Sequence, residues 1–320
     1  MEITVYGCGG AGVNIVSGIR NRKSHEGLAK IKSVYIDTSR SNIGSNIASE
    51  SIFLVDGLDG SGKKRDMNYN PIKDSVNNIL LQHKPSDMNV VVHSASGGSG
   101  SVLSPVLVSE LLARGEQVIV LLVGSTGSLI ETENTLKTLK SYESISKIRE
   151  RPVIVYYREN SKDKNRSAVD SEMTSVIAMF SVLFSGDNRE LDSADTRNWL
   201  DFQKVTSFSP KLSSLEICTN QITLNKNEAL VSVVTVTNDK MSGDVDGHVE
   251  YHAVGYVPES IQKEVVVEYP IHFCIISGAI NTTVAALESK ISKYKEHRAA
   301  IVEKSIVKGN ESHTSDGLIF

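Results

Sequence analysis

Cysteine is scarce in this chain. Its 320 residues contain three, Cys8, Cys218 and Cys274, each far from the others. Cysteines scattered singly form neither a ligand pair nor a disulfide framework, so a reducing cytoplasm is the expected compartment. Long apolar runs are also missing. No stretch approaches the about 18 residues that a membrane-spanning helix needs, and a strand pattern follows Met1 directly, so no secretory leader is expected. An excess of one charge is missing too. Lys and Arg total 34 against 38 for Asp and Glu, a net charge of -4, so no direct nucleic-acid binding is expected. There is no internal repeat and no low-complexity tract. What is present is ordinary for a globular protein: 40% hydrophobic and 22% charged residues, in a chain long enough for a large core and two lobes.

The first half alternates β-branched runs with helical periodicity. ITVYG (3–7), SVYID (33–37), IFLVD (52–56), NVVVHSA (89–95), QVIVLLVG (117–124) and PVIVYY (152–157) read as buried strands. VNIVSGIRN (13–21) and VLVSELLARG (106–115) read as helices between them. Near-continuous apolar strands separated by helices predict an α/β fold with a parallel sheet covered on both faces. SAVDSEMTSVIAMFSVLFSG (167–186) follows, with apolar Val169, Met173, Val176, Ile177, Phe180, Leu183 and Phe184 spilling round the helix. A helix this apolar is expected to be buried between two lobes, with Gly186 as its C-cap. The second half reads as a smaller α+β unit. Four apolar or alternating runs at 214–220, 229–238, 248–257 and 270–279 precede a charged amphipathic helix at 284–307 and a polar tail at 308–320.

Three glycine-rich loops carry the first chemical signal. YGCGGAGVN (6–14) follows a strand and opens a helix, and Gly7, Gly9 and Gly12 fit G-x-G-x-x-G. Asp37 ends the next strand, where a dinucleotide-binding protein keeps its ribose acid, so a nicotinamide-dependent oxidoreductase is a serious alternative. GLDGSGKK (57–64) nearly spells a P-loop, but Lys64 stands where the Mg²⁺-binding hydroxyl belongs, so that reading fails. SASGGSGSVLSP (94–105) is a second strand-to-helix loop rich in glycine and hydroxyls. Glycines let backbone N–H groups approach phosphates at a helix N-terminus. Two such cradles in one sheet exceed what a dehydrogenase needs.

ELDSADTRNW (190–199) carries two acids three residues apart, Asp192 and Asp195. They can be a helix cap with a first-turn acid, or chemistry; locally the two readings are balanced. His248, Glu250 and His252 would suit zinc on a helix, but the surrounding pattern is a strand, so no metal site is expected. Cys8 lies beside a helix N-terminus with no identifiable histidine partner, and reads as a packing residue.

Taken together these motifs resemble the tubulin/FtsZ superfamily. Its signature G-G-G-T-G-[ST]-G is matched by Ser96-Gly-Gly-Ser-Gly-Ser-Val102, with Ser96, Ser99 and Val102 as departures and Pro105 at the matching spacing. GGAGVN resembles the family's first phosphate loop, and ELDSAD its N-x-D-x-x-D/E loop with Glu190 in place of asparagine. The order of parts agrees over nearly the whole chain. The short length, YREN followed by NRS, and LDxxDxxNWL are most similar to phage-encoded tubulins of the PhuZ type.

The resemblance implies a GTP-binding domain at 1–164, a central helix at 165–186, an activation domain at 187–283, a C-terminal helix at 284–307 and a tail at 308–320. It implies that Gly9, Gly10, Ala11 and Asn14 contact the α- and β-phosphates and that Gly97, Gly98, Ser99, Gly100 and Ser101 wrap the phosphates. Gly60, Ser61 and Gly62 would sense the γ-phosphate, Glu133 (or Glu131) would contact ribose, and Asn160 and Asn165 the guanine edge. Asp195 first and Asp192 second would act on the nucleotide of the next subunit in a head-to-tail filament. Leu318, Ile319 and Phe320 would dock on a neighbour. The implied cofactors are GTP/GDP, with Mg²⁺ held by phosphates and water. The implied role is positioning phage DNA in the host cytoplasm through DNA-associated or shell proteins, without membrane contact. A hydrolytically silent nucleotide-sensing scaffold is a third reading.

Overall fold

A computed structural model of the chain describes residues 1–19, 27–161, 163–220, 222–238, 248–262 and 268–301. Among these, ten strands form one sheet: β1 (Glu2–Cys8), β2 (Lys30–Asp37), β3 (Ile52–Leu54), β4 (Met88–Ser94), β5 (Val118–Ser125), β6 (Val153–Asn160), β7 (Leu212–Cys218), β8 (Ala229–Thr237), β9 (Tyr251–Tyr256) and β10 (Ile271–Ser277). Its order is β3-β2-β1-β4-β5-β6-β7-β10-β8-β9. Neighbours from β3 to β7 pair parallel, β10 pairs antiparallel with β7 and β8, and β9 returns parallel to β8. The strands of the second half thus extend the first sheet beyond β6.

Eight helices cover it: α1 (Gly9–Ser17), α2 (Tyr69–Gln82), α3 (Gly100–Ala113), α4 (Leu129–Arg149), α5 (Arg166–Leu183), α6 (Ser193–Leu200), α7 (Glu259–Gln262) and α8 (Ala279–Ala300). Successive strand residues feed opposite cores. Ile3 and Val5 of β1 pack with residues of α1 and α5, whereas Tyr6 and Cys8 pack with residues of α2, α3, α4 and α8. That two-sided burial is why the strands read as apolar runs without alternation.

The apolar residues named for the central helix are all buried in α5 or at its C-cap. Phe180 and Trp199 each stand against Phe273 of β10, at 6.2 and 6.3 Å between ring centroids, so α5 and α6 share one core with the second half. Three boundaries differ from the sequence reading. α1 begins at Gly9, so the first glycine segment is itself the opening turn of a helix. The C-cap of α5 is Phe184, not Gly186. α8 starts at Ala279 and is described to Ala300, and residues 302–320, including Leu318, Ile319 and Phe320, lie outside the described residues.

The direction of α5 positions everything that follows. At its start, Asn14 Nδ2 of α1 donates to Asp170 at 2.8 Å. At its end, Ser181 O accepts from the N–H of Ala29, one residue before β2, at 2.9 Å. α5 therefore runs from the C-terminal to the N-terminal edge of the parallel sheet. Its 18 residues span about 27 Å at about 1.5 Å each.

Candidate functional site

In open α/β sheets ligands bind beyond the C-terminal strand ends, where the strand order reverses. Here the chain moves one way from β1 to β3 and the other way from β4 to β6, so the reversal lies between β1 and β4. The loops leaving these two strands are the first and third glycine segments.

They touch. A Cβ on Gly9, whose φ is +69°, would lie 2.9 Å from the N of Gly100, and a Cβ on Gly100 would lie 2.8 Å from Cys8 O. The openings of α1 and α3 are thereby brought side by side. Neither N-cap residue, Cys8 or Ser99, gives a side-chain cap, and neither first turn holds an acid. Two helix N-termini side by side without side-chain caps present N–H groups that can receive an anion. Gly97 has open space where a Cβ would point.

The second glycine segment folds over the third. Ser61 Oγ and the Cα of Lys63 crowd the position of a Cβ on Gly98, and Gly60 and Gly62, with φ of +76° and +53°, have open space around theirs. The hydroxyls are engaged within the protein. Ser99 Oγ is 2.6 Å from Thr38 Oγ1, and Ser101 Oγ donates to Gly97 O at 2.6 Å and to Gly98 O at 2.9 Å. They shape the cradle and leave its backbone N–H groups as donors. Gly10 and Ala11 lie in the first turn of α1. Cys8 is fully buried and burial pushes its thiol up to about 12, which excludes a nucleophile.

A second pocket of about 610 Å³ lies between α1 and α5, lined in part by Asn14, Arg166, Asp170 and Thr174. Asp170 is a residue the sequence reading missed. Burial raises its carboxyl above the usual range, against the hydrogen bond from Asn14. A carboxylate accepts from two adjacent N–H donors, which the Watson–Crick edge of guanine offers and that of adenine does not. Asn165 caps α5, its side chain accepting from Ala168 N at 3.0 Å. Asn160 ends β6, and its Oδ1 is buried without a partner among the described residues, a group left for a ligand to satisfy.

The two candidate ribose acids part company. Glu131 faces the loops, taking Lys63 Nζ at 2.6 Å and Ser125 Oγ at 3.2 Å, and the Lys63 hydrogen bond holds its carboxyl below the usual range. Glu133 lies 3.6 Å from Lys295 of α8. Asp37, the acid of the dinucleotide alternative, is turned inward at 1% exposure. It accepts from its neighbour Thr38 N and from Asn42 Nδ2 at 2.8 Å, so it is not presented to a ribose. His252 sits on β9 and bonds Thr235 Oγ1 at 2.8 Å.

Asp192 and Asp195 are at the other end of the molecule. α6 follows α5 and borders a cavity at the N-terminal sheet edge, lined by Asp87, Gln117, Arg151, Arg197 and Asp201 among others. The two acids make a capping box. Asp192 Oδ1 accepts from Ala194 N and Asp195 N, and Asp195 Oδ2 accepts from Asp192 N at 3.1 Å. Tyr251 OH adds a bond to Asp195 at 3.1 Å. Asp192 is nevertheless exposed and Asp195 half-buried, and the Tyr251 bond at the start of β9 sets them at the sheet edge opposite the glycine cradle.

On the outer face, α2, α3 and α4 border a groove of about 1030 Å³. Lys63, Lys64, Arg65, Lys73, Lys137 and Arg149 line it, with exposed Tyr69 and Ile130 between them. No described helix is long and apolar enough to cross a membrane.

Comparison with known proteins adds the following. The family described as "Tubulin/FtsZ family, GTPase domain" matches residues 2–165, and "Phage tubulin-like protein, C-terminal domain" matches residues 191–280. The chain is 28% identical to a phage tubulin-like protein of Pseudomonas phage PhiPA3, covering 100% of this chain and 99% of that one. It is 27% identical to that of Pseudomonas phage phiKZ, covering 100% and 98%. The structure of a protofilament of TubZ from bacteriophage PhiKZ superposes with a TM-score of 0.86 at 27% identity over 99% of both chains. The GDP complex of the phage tubulin PhuZ gives 0.87 at 21% identity, also over 99% of both, a likeness of fold.

Proposed function

The chain belongs to the tubulin/FtsZ family and is a GTPase, and from that premise we propose that it hydrolyses GTP between subunits stacked head to tail. GTP lies with its α- and β-phosphates on Gly9, Gly10, Ala11 and Asn14 and on residues 97–101. Its γ-phosphate lies under Gly60, Ser61 and Gly62, and its base between α1 and α5, read by Asp170 with Asn160 and Asn165. Glu131 is preferred to Glu133 as the ribose acid. The cradle offers backbone N–H donors, and no cluster of three metal-ligating side chains occurs among the described residues. Mg²⁺ is therefore assigned to phosphate oxygens and water, where it would neutralise charge on the transferring phosphoryl group.

The observation that carries the reading is the placement of cradle and acids at opposite edges of the sheet. Asp195 and Asp192 lie at the sheet edge opposite the proposed phosphate site of their own chain, so they serve that of a neighbour. A stack that brings one subunit's N-terminal sheet edge onto the next one's cradle juxtaposes them. There Asp195, and secondarily Asp192, orients the attacking water, a contribution typically worth about 10²–10⁴ in rate. Such a contact is heterologous, so growth stays open. That a phage relative has been solved as a protofilament supports assembly of this chain in the same sense. The relatives are phage proteins, which supports a role in positioning phage DNA in the host cytoplasm through DNA-associated or shell proteins.

Asp195→Ala tests the mechanism. It should still sediment as polymer with GTP, while phosphate release per polymer falls at least about a hundredfold. Because Asp195 also closes the capping box, the change costs about 1 kcal/mol of helix stability. Asp195→Asn retains an acceptor for the cap and should lose turnover equally. Normal turnover in a folded Asp195→Asn protein removes the shared site.

A further inference from the structure

Asn134 lies in the second turn of α4 at 3% exposure. Its Nδ2 donates to Lys63 O at 2.9 Å, to Ser96 O at 3.2 Å and more weakly to Gly97 O at 3.4 Å. The first carbonyl belongs to the segment over the γ-phosphate position. The other two belong to the glycine loop after β4. One buried amide thus ties two loops that are distant in sequence and meet at the proposed phosphate site.

It has company on the same helix face. Glu131, Asn134, Thr138 and Ser141 follow a spacing of three, four and three, so they form one stripe. Glu131 holds Lys63 Nζ, Thr138 Oγ1 donates to Ala95 O at 3.0 Å, and Arg65 bonds Thr138 and Ser141. α4 is a rail along which both loops are laid.

We infer that Asn134 is a positioning residue for the γ-phosphate, holding segment 57–64 against the glycine loop in the arrangement that receives a triphosphate. The inference rests on the proposed assignment of these loops to phosphates. Without the amide, segment 57–64 keeps Asn68 on Gly60 O, Gly60 N on Thr38 O, Ser39 on Asp59 and the Lys63–Glu131 pair, but its Lys63 end loses the backbone tie to α4. That end must then be fixed in part by the ligand, and the entropy comes out of GTP affinity. The glycine loop loses the longer bonds at Ser96 O and Gly97 O but retains Ser101 and Thr138 as supports, so a diphosphate is affected less than a triphosphate.

The test uses the full chain at concentrations below assembly. Dissociation constants for GDP and for a non-hydrolysable GTP analogue are measured for wild type and Asn134→Ala, with thermal melting to verify folding. Loss of one buried hydrogen bond to an ordered loop predicts analogue binding weakened about tenfold, with GDP affinity changed by no more than about twofold. Equal weakening of both nucleotides would mean that Asn134 merely packs the core, and overturns the inference. Unchanged affinities overturn it as well. Should Asn134→Ala not fold, Asn134→Leu, similar in size and neutral but without donors, must show the same selective loss. A wild-type protein that binds neither nucleotide would refute the phosphate-site reading itself, a result distinct from failure of the Asn134 inference.

Discussion

Glycines with the same local signature do different work. A Cβ on Gly12 would stand 2.1 Å from Val92 O, a backbone atom of the neighbouring strand β4, and one on Gly7 would stand 2.6 Å from Gly12 O. These two glycines let α1 lie close on the sheet. Gly97 has nothing within 4 Å of a Cβ. The two kinds of glycine should therefore separate stability from binding. Gly12→Ala must push α1 off β4 and should cost about 1–3 kcal/mol or more, as overpacking does, read as a fall in Tm. Gly97→Ala should leave Tm within the small range of unstrained surface changes, yet weaken GTP binding, because the methyl occupies the space assigned to phosphate. A Gly97→Ala protein with wild-type nucleotide affinity would detach that loop from the ligand. The sequence exposes both glycines as motif members. It does not say which role each one serves, because for Gly12 that depends on β4, about 80 residues away, and for Gly97 on the loops packed around it.

At the scale of elements, α5 is the most legible part and α4 the least. The apolar positions of α5 repeat with helical period, and each lands in the core. Along α4, Thr132, Asn134, Thr135, Thr138 and Ser146 are buried, and a buried polar stripe has no periodic apolar signal to find. Asp170 was missed for a related reason. It is one acid on an apolar helix, and only its approach to Asn14 gives it meaning. The start of α5 is tied to the sheet by ions as well as packing. Glu172 accepts from Arg158 Nε at 2.8 Å and Tyr156 OH at 2.7 Å and pairs with Lys164, while Arg158 also reaches Glu216 of β7. Burial alone would raise the Glu172 carboxyl, but the hydrogen bonds from Lys164, Tyr156 and Arg158 prevail and hold it at about 2, from an ordinary 4.5. A carboxyl depressed in the folded state stabilises above its unfolded value, and that contribution is lost as pH falls from 4.5 towards 2. Glu172→Gln should be less stable than wild type at pH 7, and its stability should fall less steeply through that window. Parallel profiles in chemical denaturation across pH would show that the network does not depend on the charge.

For the whole molecule, the parallel sheet separates two working ends. The glycine loops gather at the strand C-termini because every parallel strand delivers its following loop to the same edge, and α5 carries the chain to the opposite edge before the acids appear. That much follows from the order of motifs in the sequence. How subunits meet does not, since surfaces that complement one another leave no local pattern. We propose the groove bounded by α2, α3 and α4 as one such surface; six basic side chains line it against the acids Asp66, Glu110 and Glu133, with exposed Tyr69 and Ile130. The last residues of the chain are its chemical complement. Glu311 and Asp316 precede Leu318, Ile319 and Phe320, so a neighbour's tail laid in the groove would meet lysines with its acids and apolar surface with its end. Burying three such side chains is worth up to about 1.5–3 kcal/mol each before ordering costs, while the ion pairs are weak and screened within about 8 Å at physiological salt. Deleting residues 311–320 should therefore raise the critical concentration for GTP-dependent assembly by about tenfold or more, with GTP affinity of the dispersed protein unchanged. Replacing Lys73 and Lys137 by Glu should reproduce a smaller part of that rise, and high salt should abolish the difference from wild type while leaving the effect of the deletion. Sedimentation across a protein concentration series reads all three, and an unaltered critical concentration for the truncated chain would leave the groove without its occupant.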